Sequence, residues 1–171
     1  MIKREQGIFT VEFAIIAAVL FIVLFAVIEL AHVLWIWNTA TEATRRGARV
    51  AAVCPINHPA VAEITVFTQP GGGPDSPILS GLSTGNVSVE YLDQDGDPDM
   101  DFQDIAFVRV SLNNYTFTPL IPFVNADFTL PTFETTIPSE SLGYIPDVDD
   151  PTADPECSCY GSSGPTTNCE L

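Results

Sequence analysis

At 171 residues the chain has room for one membrane helix and one small soluble domain. It holds 22 acids against 6 bases, a formal net charge of -16, which makes nucleic acid and anionic lipid poor partners for its acidic part. The charge is also unevenly placed: Lys3, Arg4, Arg45, Arg46 and Arg49 precede Val50, whereas Arg109 alone follows it, among the 18 acids that remain after Glu5, Glu12, Glu29 and Glu42.

The first predicted element is an apolar helix behind a short polar leader, Met1-Ile2-Lys3-Arg4-Glu5-Gln6, that ends at Gly7. Glu12 stands five residues after Gly7 and opens the apolar run Phe13 to Ile28. A charged side chain at membrane depth is unfavourable by roughly 2.5–3.5 kcal/mol, less near the interface, so Glu12 points to a partner. One candidate is the new amino terminus that a cut after Gly7 would create at Ile8. From Phe13 to Trp37 a single helix would run about 37 Å, enough to cross a hydrocarbon core of about 30 Å. Trp35 and Trp37 fall where an interfacial aromatic belt belongs. The far end, Ile28-Glu29-Leu30-Ala31-His32, has no good A-x-A site, which argues against a removed secretory signal. Lys3 and Arg4 favour a cytoplasmic N-terminus, but Arg45, Arg46 and Arg49 flank the other end, so charge alone leaves orientation open. Glu29 and His32 lie one turn apart. Their expected place is the outer interface, paired with each other or with a neighbouring subunit, in preference to a proton relay.

Thr39 to Val53 continues the helix, with Ala40, Ala43, Gly47 and Ala51 forming a small-residue stripe that lets another element approach. Arg45, Arg46 and Arg49 fall on the remaining surface, either as a solvated face or in ionic contact with the acidic domain or a neighbouring subunit. Cys54-Pro55 ends the helix, because the residue before proline is pushed out of helical geometry. The expected organisation is therefore a leader at 1–7, a long helix at 8–53, a small β-rich domain at 54–146 and an acidic Pro/Gly/Ser-rich tail at 147–171.

Within the domain, Ala62 to Thr68 reads as a strand or the end of a short helix, and Pro70 to Pro74 as a loop. Asn86 to Leu92 alternates as a half-buried strand. Ile105 to Leu112, apolar on both faces except at Arg109, suits a central strand covered by the helix. Tyr115–Thr118, Asp127–Leu130 and Thr132–Ile137 supply further short strands. The fold class is thus α+β: a long N-terminal hydrophobic helix packed on a small antiparallel sheet.

Two clusters are candidates for chemistry. Asp93, Asp95, Asp97, Asp99 and Asp101 alternate, with Asp104 at the twelfth place of a loop that starts at Asp93, a partial match to a calcium loop. Pro98 replaces the glycine needed at position 6 and position 12 is Asp instead of Glu, so an exposed acidic hairpin loop is preferred over calcium binding. Cys54, Cys157, Cys159 and Cys169 suit disulfides in an oxidising compartment better than zinc, since no histidine lies near the C-terminal cluster. Cys157 and Cys159 are too close for an easy mutual bond, which favours the two pairings that join them separately to Cys54 and Cys169. His58 precedes Pro59 in a loop, and no nucleophile–base–acid set or phosphate loop is visible; an enzyme is not expected.

The segment Gly7-Ile8-Phe9-Thr10-Val11-Glu12-Phe13 resembles the processing site of type IV prepilin-like proteins. Phe25-Ala26-Val27-Ile28-Glu29, then Asn38, Ala43 and Arg46-Gly47-Ala48-Arg49, resemble the TadE-like family of the tight-adherence pilus system. Val108-Arg109-Val110-Ser111 and Phe117-Thr118-Pro119-Leu120-Ile121-Pro122 extend the likeness, which covers roughly Gly7 to Glu140. The resemblance implies a minor pilin (pseudopilin) cut between Gly7 and Ile8 by a prepilin peptidase, with Glu12 and Phe13 in the assembly contact. Other pilins and pseudopilins, the Tad membrane assembly platform and the lipid bilayer would be its partners. It implies a single pass through the bacterial inner membrane, the C-terminal domain outside, incorporation in a surface pilus used for adhesion, and no required cofactor. A second reading is an unprocessed membrane-anchored binding module whose acidic loop takes calcium.

Overall fold

The computed structural model describes residues 6–98, 101–120, 127–145, 156–157 and 159. Helix α1, Gln6–Ala51, runs for 46 residues, about 69 Å, with no proline and with Gly47 as its one glycine beyond the first turn. Val53 and Cys54 both donate to Val50 O in a tightened last turn, and Pro55 stops the helix. Two residues on, Ala52 O is satisfied from far along the chain, by the amides of Glu140 and Leu142.

Helix α2, Pro59–Thr65, occupies the segment for which a strand was one expectation. Local chemistry explains the choice: Pro59 sits at the first helical position and His58 Nδ1 accepts from Ala60 N at 3.2 Å. His58 is therefore a cap. Val61, Ile64 and Thr65 are buried on this short helix, which packs on α1.

Strands β1 (Val87–Leu92), β2 (Phe107–Leu112), β3 (Thr116–Phe117), β4 (Phe128–Thr129), β5 (Phe133–Pro138), β6 (Tyr144–Ile145) and β7 (Glu156–Cys157) follow. The main sheet is antiparallel in the order β1-β2-β5, so the predicted central strand is central. Its register sets Val110 opposite Val89 and Thr135, and Arg109 opposite Glu90 and Thr136. One face, carrying Val108, Val110 and Leu112, turns to α1; the other carries Arg109, whose Nη1 lies 3.4 Å from Glu90 Oε2. β3 pairs with β4, and β6 with β7.

The predicted small-residue stripe is the helix side of the core. Ala40, Ala43, Ala48 and Ala51 are all at most 1% exposed. At Gly47 the approach is closest: a β-carbon there would run into Thr65 Oγ1 and lie 3.0 Å from Val110 Cγ1. Thr44 Oγ1 and Thr135 Oγ1 share a 2.9 Å hydrogen bond across the helix–sheet contact. Cys54 and Cys159 form a disulfide across a separation of 105 residues, which ties Cys159 to the end of α1. This is one of the expected pairings; Cys169 lies outside the described residues.

Candidate functional site

The helix presents two distinct regions to its surroundings. Along the inner half, the most apolar 18-residue window has a mean hydropathy of 3.0, and none of it is buried by the rest of the protein. It is long and apolar enough to cross a membrane, a candidate anchor. Ile8, Val11 and Ile15 surround Glu12 on this bare surface. Glu12 has no hydrogen bond or ion pair among the described residues, and Phe13 beside it is 72% exposed. Nothing within the chain's described part neutralises this carboxylate.

Glu29 is differently placed. Its Oε2 accepts from the backbone amide of Leu120 at 3.0 Å, across 91 residues of sequence. Its Oε1 lies 3.8 Å from His32 Nδ1, too long for a hydrogen bond, and both atoms are buried without another partner. The predicted Glu29–His32 proximity is present, and the domain's own loop supplies the second contact. Sequence reasoning missed Leu120 because a backbone amide carries no residue signature.

Beside this pair, the β3–β4 ribbon and the loop at Leu79–Gly81 lean against α1 and enclose a cavity of about 360 Å³. His32 lies nearly parallel to Trp35, with ring centroids 6.2 Å apart, and edge-on to Phe117 at 6.4 Å. Tyr115 donates its hydroxyl to Ser80 O, and Thr118 Oγ1 bonds Asp127 Oδ1 at 2.8 Å. Burial raises the Tyr115 phenol above its ordinary range.

The arginines flanking the domain end of the helix divide. All three are exposed, but Arg46 also lies over the ring of Phe67, 5.7 Å from its centroid. Gly47 between them is the close-approach position already described.

In the acidic loop between β1 and β2, Asp93 Oδ1 accepts from the amides of Asp95 and Asp97, both at 2.9 Å, and Gly96 takes a left-handed conformation. Asp101 Oδ1 accepts from Gln103 N. These carboxylates serve as turn caps, and Asp99 lies outside the described residues. Among the described residues no three His, Cys, Asp or Glu side chains converge on a point that could hold a metal.

A family model described as TadE-like protein matches residues 7–49. The match takes in Gly7, Ile8, Glu12, Phe13, Glu29, Arg46, Gly47 and Arg49, and stops before the β-rich domain. No curated protein and no solved structure matches the chain.

Proposed function

We propose that this chain, TadE-like over residues 7–49, is a minor pilin (pseudopilin) that takes part in assembling a Tad-type pilus for surface adhesion. In this reading it inserts with its N-terminus in the cytoplasm and its cystine-bearing domain outside, where an oxidising compartment suits the Cys54–Cys159 bond. A prepilin peptidase cuts between Gly7 and Ile8. The ammonium of Ile8 on one subunit then meets Glu12 of the next, in surroundings of low dielectric. That contact fixes the register of apolar helices that would otherwise slide, since lipid tails give Leu, Ile and Val no preference between neighbours. Phe13 and the residues around it pack the helices together, in association with other pilins and the Tad membrane platform. The chain acts without a cofactor and is not an enzyme.

The observation that carries this reading is Glu12: an exposed carboxylate, without a partner among the described residues, in the bare apolar half of a helix that the TadE-like model matches over residues 7–49. N-terminal sequencing of the membrane-extracted protein is the test. A chain that begins at Ile8 is expected. A functional protein that retains Met1 would overturn the proposal and leave the unprocessed, membrane-anchored binding module. Glu12→Leu should leave insertion intact and abolish or strongly reduce piliation; normal pili in that variant would remove the role assigned to the carboxylate.

A further inference from the structure

The cavity between α1 and the β3–β4 ribbon has a chemistry that the pilin reading does not use. Its helix wall is the turn His32 to Ile36. From Phe13 to Trp35 the helix rises about 33 Å, so if Phe13 lies at one edge of a core about 30 Å thick, Trp35 lies among the head groups of the opposite leaflet. The cavity would thus open at head-group level.

Its lining is selective. Trp35 and Phe117 supply aromatic surfaces, and His32 stands between them with ring contacts to both. Among the described residues Asp127 is the one carboxylate in the wall. One of its oxygens is held by Thr118, and the residue is exposed where it lines the cavity. Ser80 adds a carbonyl, already accepting from Tyr115. Among the described residues no lysine or arginine lines the space. A head group of net negative charge would meet Asp127 within a domain that has Arg109 as its single base after Val50. A wholly apolar occupant would strip water from that carboxylate without replacing it. An aromatic wall joined to one carboxylate is the combination that favours an organic cation, through ring quadrupole and charge together.

We infer that this cavity is a binding site for the ammonium head group of a zwitterionic phospholipid, held against the wall that Trp35, Phe117 and Asp127 line. The lipid would fasten the β3–β4 ribbon to the point where α1 leaves the bilayer. The inference rests on membrane placement of α1 and not on pilus assembly, so it can fail or hold independently of the cut after Gly7.

The test uses the full chain in uncharged maltoside micelles with Trp37→Phe, which makes Trp35 the sole tryptophan. Short-chain phosphatidylethanolamine is titrated in, with phosphatidylglycerol of equal chain length and free O-phosphoethanolamine as parallel arms. A saturable change in Trp35 emission is expected with phosphatidylethanolamine and not with phosphatidylglycerol. Asp127→Asn, which keeps an acceptor for Thr118, should weaken binding about tenfold, and Phe117→Leu roughly three- to tenfold. An equal response to both lipids, or an unchanged affinity in Asp127→Asn, would overturn the ammonium site. Free O-phosphoethanolamine binding as tightly as the lipid would overturn the lipid as occupant.

Discussion

One helix solves two different packing problems in its two halves. In the inner half the apolar residues are large and bare: Phe13 is 72% exposed and Ile22 68%. In the outer half they are small and covered, with Ala43, Ala48 and Ala51 at 0%. Large side chains present the surface a hydrocarbon or another helix can cover, and a bare stretch of this extent is not left to water. Small side chains bring α2 and the sheet close enough for Thr65 and Val110 to reach the helix backbone at Gly47. Hydropathy marks the inner half, with its window at 3.0, and residue size then separates what the chain packs for itself from what it leaves to its surroundings.

If that division is right, substitutions should destabilise the domain in proportion to their part in the outer contact. The largest effect belongs to the disulfide at the helix end. Cys54→Ser opens a loop of 105 residues and should cost about 2–5 kcal/mol. Thermal unfolding of the full chain in detergent would show this as a fall in Tm of about 10 °C or more; an unchanged Tm would mean that the end of α1 holds without the tail. Next comes Gly47→Ala. The added methyl meets Thr65 Oγ1, which is itself held by a 2.6 Å bond to Val61 O, so relief requires either α2 or the helix to move. A loss of about 1–3 kcal/mol is expected. In a Thr65→Ala background the same substitution should cost distinctly less, and equal costs in both backgrounds would break the close-contact argument.

A smaller effect should appear in alkali. Tyr91 is buried on β1 beneath the helix; burial raises its phenol above the ordinary 10.0, outweighing the opposite pull of the amide bond from Asn57. The unfolded chain therefore ionises first. The stability associated with the neutral phenol is complete below pH 10 and declines as pH rises through the folded value. Chemical denaturation from pH 9 to 11 should show this decline, and Tyr91→Phe should flatten it. Tyr115, raised by burial as well, contributes in the same direction.

The sequence made the sheet legible through alternation, and the helix through the length of its apolar run. Val87, Val89 and Tyr91 alternate as the strand requires, and Arg109 interrupts β2 where that strand turns a face to solvent. The stripe at Ala40, Ala43, Gly47 and Ala51 gave the packing face correctly, because close approach demands small residues at helical spacing. Ala62 to Thr68 was ambiguous because a short apolar run carries no decisive period; the cap at His58 and Pro59 decided it. The cavity and the Leu120 contact were invisible, since both arise from backbone and ribbon positions distant in sequence. The aspartates were legible as an exposed acidic turn, but their spacing could not reveal that Asp93 spends its carboxylate on the amides of Asp95 and Asp97.

The smallest expected effect is the most demanding test of the division. Leu20→Ala removes a large side chain from a position that is 57% exposed and touches no part of the domain core. In a globular core a leucine-to-alanine change costs about 2–5 kcal/mol. Here the unfolding of the domain, followed through near-ultraviolet signals in detergent, should shift by no more than about 0.5 kcal/mol. What the substitution should alter is contact with material outside the chain, read as weaker cross-linking between subunits in the membrane. A destabilised domain with unchanged cross-linking would reverse the assignment of the two halves, because it would mean that the inner helix is completed by its own fold and not by its neighbours.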